Sequence, residues 1–362
     1  MRVLKNNEFK LFEQIVALKQ PSLMKTMKAY LQRHYNTVKM TKDYLYAAGD
    51  IPVALVSHLD TVFTKPPENV YYDTRKNVLW SPEGLGADDR AGVYAIVRII
   101  KAGYRPHIIF TTDEELGCLG ADALAKQLPQ PFASMKYIIE LDRRGTNDCV
   151  FYDCANDEFT QYVESFGFIE NFGTYSDICE ICPAWKVAGV NLSIGYQNEH
   201  SVSETLHVSA FLATIDKVMK MLDDAPNAPA FQYIPSPFAY NWHSLYKGKN
   251  TTEEYALGWS GSETDYYDDS AVNCAKCGTV FSDYEVFPVK ALDGKTKFYC
   301  PDCISQENIE WCYVCGEAYE MTDKEAYRAL KEQEEYHICK DCERSGKRWK
   351  ESKKLKNALK KL

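Results

Sequence analysis

Five separated stretches of the chain carry side chains suited to binding metal ions: His58-Leu-Asp60, Asp88-Asp89, Glu114-Glu115, Asp142 and His200. Two histidines and three carboxylates suffice to hold two divalent cations around a shared water, with a further Glu left over to move protons. Taken singly, each piece has a plainer reading. A His after a strand is usually a satisfied polar cap, Asp-Asp a turn, and Glu-Glu solvated surface. Together, and in this order, they point to a dinuclear centre that activates water for hydrolysis. Metals of that kind lower the pKa of bound water from 15.7 to about 7 and stabilise an oxyanion, so no Ser or Cys nucleophile is required.

Ligands of one centre must converge, and the elements able to bring them together are visible in the pattern. Short apolar runs bounded by turn residues, at 53–56, 107–110, 137–139 and 190–194, read as buried strands. Between them, 91–102 and 119–128 have helix-forming composition, and 206–222 has it more strongly. The alternation predicts an α/β fold, a three-layer sandwich with a largely parallel central sheet. The four strands run on to His58, Glu114, Asp142 and His200 in turn. Sites in open α/β sheets lie outside the carboxyl ends of the strands, so the four segments are expected to meet in one crevice. Ahead of them, Phe9, Phe12 and Val16, then Leu23, Met27, Tyr30 and Leu31, have helical spacing broken at Pro21. They predict a helical pair beside the sheet.

Composition bounds the rest. At 362 residues and 45% hydrophobic content, the chain has room for one sizeable core plus attachments. No apolar run approaches the roughly 18 residues of a membrane span, and the N-terminus lacks the apolar stretch of a secretory signal. A soluble, cytoplasmic protein without membrane contact is expected. The net charge of −9 argues against general nucleic-acid affinity, although 251–275 carries six acids and no Lys or Arg, and 344–362 carries nine basic residues and one acid.

Eight of the thirteen cysteines form four Cys-x2-Cys pairs in the last quarter of the chain, which implies metal and not disulfides. Cys274, Cys277, Cys300 and Cys303, then Cys312, Cys315, Cys339 and Cys342, read as two tandem zinc ribbons with one structural zinc each. The expected organisation is a hydrolase domain at 1–224, a Pro-rich then acidic linker at 225–272, ribbons at 273–304 and 311–343, and a basic tail at 344–362. The ribbons and tail are expected to offer a surface to a protein or nucleic-acid partner. Cys179-x2-Cys182 reads as buried structural cysteines, with a metal pair as the other reading, and Ser176-Asp177 as a helix N-cap or an acid beside the pocket.

The text around the ligands resembles that of the co-catalytic two-zinc exopeptidases, the superfamily of peptidase T, the bacterial zinc aminopeptidases and the tetrahedral aminopeptidases. His58-Leu-Asp60-Thr61-Val62 is similar to the first metal motif, Gly86-Ala-Asp88-Asp89-Arg90-Ala-Gly92 to the bridging-Asp motif, and Asp113-Glu114-Glu115-Leu-Gly117 to the base-plus-ligand motif. Glu140-Leu-Asp142 and Asn198-Glu-His200-Ser201-Val-Ser-Glu204 are similar to the last two. The resemblance covers roughly residues 50 to 222.

It implies that Asp88 bridges two zinc or other divalent ions, that His58 and Asp142 complete one shell, and that Glu115 and His200 complete the other. It further implies Glu114 as general base, Asp60 as the carboxylate orienting His58, and a peptide substrate cleaved by aminopeptidase action. Only 30 positions separate His58 from Asp88 and 58 separate Asp142 from His200, which leaves no room for the lid or dimerisation domain of larger relatives. Two other readings stay open: a hydrolase of another amide, such as an N-acyl amino acid, and a zinc-ribbon adaptor carrying a vestigial hydrolase domain.

Overall fold

β3 (Ile51–His58) is apolar on both faces, and Val53, Ala54, Leu55 and Val56 are all fully buried, as a strand covered by helices above and below must be. It lies between β6 (Pro106–Thr111) and β7 (Tyr137–Arg143), both parallel to it, and β10 (Gly189–Ser193) continues the parallel run beyond β7. The computed structural model describes residues 2–130, 135–234, 271–282, 286–304, 307–312, 318–322, 339–340, 344 and 353–361. The chain divides into two units, 1–236 with 349–362, and 237–348.

In the first unit the sheet is parallel at its centre and mixed at its flanks. Antiparallel β1 (Thr37–Met40) and β2 (Tyr44–Ala48) add to one side, and β8 (Asp148–Val150) and β9 (Ile169–Glu170) to the other, giving the order β1-β2-β6-β3-β7-β10-β8-β9. A second sheet, order β11-β12-β5-β4, is built from β4 (Tyr71–Asp73), β5 (Val78–Trp80), β11 (Tyr196–Gln197) and β12 (Thr205–His207). These flanking strands and the small sheet are absent from the sequence reading, because two- to five-residue segments carry too little periodicity to stand out.

Strand alternation sorts the layers. Ala54, Val56, Ile109 and Ile138 pack with Leu124 of α4 (Leu119–Gln127) and Ile181 of α6 (Ile178–Trp185). The other face meets α3 (Ala87–Lys101), which packs against α1 (Asn6–Val16) and α7 (Val208–Asp224). Pro21 stands in the first turn of α2 (Gln20–Leu31), where its missing N–H has no helical partner to lose. α5 (Asp157–Ser165) is capped by Asn156, whose Oδ1 accepts from Phe159 N at 2.9 Å.

The second unit pairs β13 (Ala271–Asn273) with β14 (Val280–Ser282). Its larger sheet has the order β16-β15-β18-β17, from β15 (Phe287–Lys290), β16 (Thr296–Tyr299), β17 (Ile309–Trp311) and β18 (Ala318–Glu320), with a helical turn α8 (Pro301–Ile304) after β16. β15 belongs to the first cysteine group and β18 to the second, yet they pair in parallel, so one sheet joins the two groups. Most of the expected linker, 235–270, lies outside the described residues, as do Cys315 and Cys342.

The last helix, α9 (Lys353–Lys361), falls within the stretch read as a basic tail, and it packs on α1 and α2 as part of the first unit. Leu355 and Leu359, one turn apart, are its buried residues. Among the described residues no helix is long and apolar enough to cross a membrane.

Candidate metal centre

Three of the parallel strands deliver side chains to one place. β3 ends on His58, β7 carries Asp142 near its end, and the chain leaving β6 turns through Asp113 to Cys118. That turn has left-handed backbone at Asp113, Gly117 and Cys118 and carries Glu114 and Glu115 between them. Asp88 stands at the start of α3, where the backbone departs from helical angles at Asp88 and Asp89 and the peptide between them is cis. His200 arrives differently from the sequence expectation. β10 stops at Ser193, β11 intervenes, and His200 lies in the turn between β11 and β12 with φ 59°.

The Asp88 carboxylate divides the ligands into two groups. Its Oδ1 is 3.0 Å from His58 Nε2, which is also 3.4 Å from Asp142 Oδ1. Its Oδ2 is 3.3 Å from His200 Nε2, which is 3.0 Å from Glu115 Oε2. In each of the triads His58–Asp88–Asp142 and Asp88–Glu115–His200, one donor atom per residue lies within 4.8 Å of the others, and a third such triad is His58–Glu114–Glu115. The structure thus brings His58, Asp88, Glu114, Glu115, Asp142 and His200 together, one or two from each of the five segments.

A second layer of contacts fixes them. Asp60 Oδ1 stands 3.3 Å from His58 Nδ1, and Asp60 Oδ2 accepts from Glu115 N at 3.0 Å, so one carboxylate spans both ligand groups. Asp89 turns away from the centre, and its Oδ1 accepts from Gly92 N at 2.9 Å. A Cβ on Gly92 would stand 2.4 Å from Asp89 Oδ2 and 2.5 Å from Leu141 O, which accounts for glycine there.

Three supporting residues were not assigned from sequence. Glu204 accepts from Ala87 N at 3.1 Å and Asp88 N at 3.0 Å, holding the backbone that carries Asp88. Asn191 clamps the Asp142 peptide, donating to its O and accepting from its N at 2.9 Å each. Tyr196 Oη donates to Asp142 Oδ1 at 3.0 Å. Asn191 left one sequence signal, a lone amide inside an apolar strand, where a buried polar group needs partners.

Charge at the site is unbalanced. Burial pushes Glu114 well above the usual carboxylate range; His58 pulls the other way, and Asp142, Asp177 and Glu115 add to the push. Burial and the neighbouring Asp88 raise Asp142 to about 7. Burial opposes a charged His58, but Asp142 and Asp60 outweigh it and lift its pKa well above 6.5. Six carboxylates, Asp60, Asp88, Asp89, Glu114, Glu115 and Asp142, thus crowd a space whose nearby cations are His58, His200 and Arg90. Glu115 Oε1 is buried with no hydrogen-bond partner. Nitrogen and oxygen donors with an excess of negative charge suit divalent cations such as zinc.

Asp177 occupies the N-cap position of α6, but its side chain does not cap. It is fully buried and accepts from Thr111 Oγ1. Cys182 is fully buried, Cys179 partly so, and Cys154 meets both thiols. In the second unit the Sγ atoms of Cys274, Cys277, Cys300 and Cys303 lie within 4.8 Å of one another. Cys300 N points at Cys274 Sγ at 3.4 Å, and the corresponding Cys339 N points at Cys312 Sγ at 3.3 Å, so the described part of the second group repeats the geometry of the first.

Residues 36–167 match the model of peptidase family M28, a span that contains His58, Asp88, Glu114, Glu115 and Asp142 but not His200. No curated protein matches the chain. Among solved structures it is similar to aminopeptidase PepT from Bacillus cereus, at 14% identity over 62% of this chain and 99% of that one, with a TM-score of 0.46. A tripeptidase from Staphylococcus aureus is similar at 12% identity over 62% and 99%, with a TM-score of 0.48. The TET1 peptidase of Pyrococcus horikoshii is similar at 12% identity over 59% and 99%, with a TM-score of 0.47.

Proposed function

We propose that the first unit is a metal-dependent exopeptidase of aminopeptidase type, with His58, Asp88 and Asp142 holding one divalent cation and Asp88, Glu115 and His200 a second. The observation that carries this reading is the Asp88 carboxylate, which offers one oxygen to each ligand group. The match of 36–167 to a peptidase family supports the reaction class. Zinc suits the mixed nitrogen and oxygen donors. Bound there, two cations would supply Lewis acidity and a water acidified to near neutral pKa.

The chain's own residues do the rest. Glu114 takes a proton from the attacking water and returns it to the leaving amine, a role that fits a carboxylate with raised proton affinity. Asp60 orients His58, and Glu204 and Asn191 keep Asp88 and Asp142 from rotating away. Cys274, Cys277, Cys300 and Cys303 hold a structural zinc in the second unit, and Cys312, Cys315, Cys339 and Cys342 a second one.

The test offers the purified full chain free-amine peptides and N-acylated amino acids side by side, with bound metal measured on the same sample. Release of N-terminal residues from the peptides is the expected result. Cleavage confined to the acylated set would move the activity to another amide, and no hydrolysis of either by metal-replete protein would reject the hydrolase reading.

A further inference from the structure

Cys118 lies in the Glu114 loop but has no part in the proposed chemistry, and its conformation is costly. Its backbone is left-handed, with φ 56°, a region that glycine occupies freely and a side chain with a Cβ does not. The residue is 1% exposed. A cysteine held there needs a local interaction to offset the backbone cost, and the contacts supply one.

Cys118 N and Gly117 N both donate to Glu114 O, at 2.9 and 2.8 Å, closing the loop on Glu114. Cys118 Sγ then stands 3.5 Å from Glu114 Oε1, with the S–H as donor, and the Asp177 carboxylate lies against the same thiol. The residue is the N-cap of α4, so the thiol stands at the start of that helix. The same Glu114 carboxylate reaches the metal centre, with a donor oxygen within 4.8 Å of those of His58 and Glu115.

We propose that Cys118 is a positioning residue for Glu114: its thiol ties one carboxylate oxygen back to the start of α4, so that the carboxylate faces the water it deprotonates. A thiol is a weak donor, able to set direction while leaving the carboxylate free to accept a proton. This rests on the general-base role proposed for Glu114, but the tie itself can be tested without turnover.

The infrared S–H stretching region of the full chain, as purified, is compared between wild type and Glu114→Gln. An S–H band in wild type should shift when the carboxyl acceptor becomes an amide, and the difference should vanish in a Cys118→Gly background. Glycine is chosen because it keeps the left-handed backbone. In turnover, Cys118→Gly should lower kcat about tenfold with KM and metal content unchanged, and Cys118→Ser, which keeps a donor on the same carbon, should recover most of it. No S–H band that depends on both Glu114 and Cys118 would overturn the tie, whether or not the protein cleaves peptides. Equal losses in the Gly and Ser variants, or a loss carried by KM or by metal content, would overturn the positioning role. Failure of the wild type to hydrolyse any peptide would instead count against the proposed function, and the infrared band would still decide the tie.

Discussion

At the residue scale, the roles proposed for Asp88 and Glu114, binding and catalysis, can be separated by substitution. Glu114→Gln keeps size and shape but removes the proton acceptor, so kcat should fall at least about a hundredfold while the metal content of the chain stays at its wild-type value. Full activity in that variant would remove Glu114 from the role of base. Asp88→Ala takes an oxygen from each ligand group at once. Elemental analysis should then find fewer metal ions per chain than in wild type, and an unchanged count would show that Asp88 does not bridge. Both residues, with His58, Glu115, Asp142 and His200, could be picked out by type and order. Their helpers could not. Glu204, Tyr196 and Cys118 act on atoms distant in sequence or through one side-chain angle, and neither leaves a periodic trace.

At the scale of elements, the parallel strands are the device that aims the site. The apolar runs predict β3 and β7, and each carries a candidate ligand at or near its carboxyl end. α9 is the element whose place the sequence concealed. Its lysines dominate its composition, and the two leucines that seat it, Leu355 and Leu359, show only a single turn of apolar spacing. Leu355→Ala should destabilise the first unit by about 2–5 kcal/mol, the usual cost of emptying a fully buried leucine site. Urea unfolding followed by tryptophan fluorescence measures it, and a loss within error of zero would show that α9 does not add to the core in solution. The sheet in the second unit is a similar case: cysteine spacing suggests two beads, whereas the pairing of β15 with β18 joins them.

For the whole molecule, two treatments probe stability. Removing metal with a chelator leaves the buried carboxylates to repel one another, so the thermal midpoint should drop and return when zinc is restored, as expected for ligands that bind only the folded state. A midpoint indifferent to chelation would contradict the metal centre. pH acts through a different residue. His107 is buried beside Tyr46, whose Oη lies 2.7 Å from His107 Nδ1, and burial lowers its pKa from 6.5 to about 4. Between those values the unfolded chain binds the extra proton and the folded one does not, so stability rises with pH across the window. The contribution is complete above pH 6.5 and is lost as pH falls toward 4. His107→Asn should flatten that part of the stability profile relative to wild type; parallel profiles would exclude His107 as the source.

The sequence by itself determined which residues are candidates for binding metal and in what order they come, that the fold alternates strands and helices around a parallel centre, and that the last quarter carries paired cysteines. Those properties are local: residue type, spacing and short-range periodicity carry them. Only the tertiary structure decided that Asp88 turns one oxygen to each group, that His200 comes from a separate small sheet, that Glu204 and Asn191 lock the ligand backbones, and that α9 returns to α1 and α2. These depend on chain segments far apart in sequence meeting at distances of about 3 Å, set by packing that no local pattern encodes.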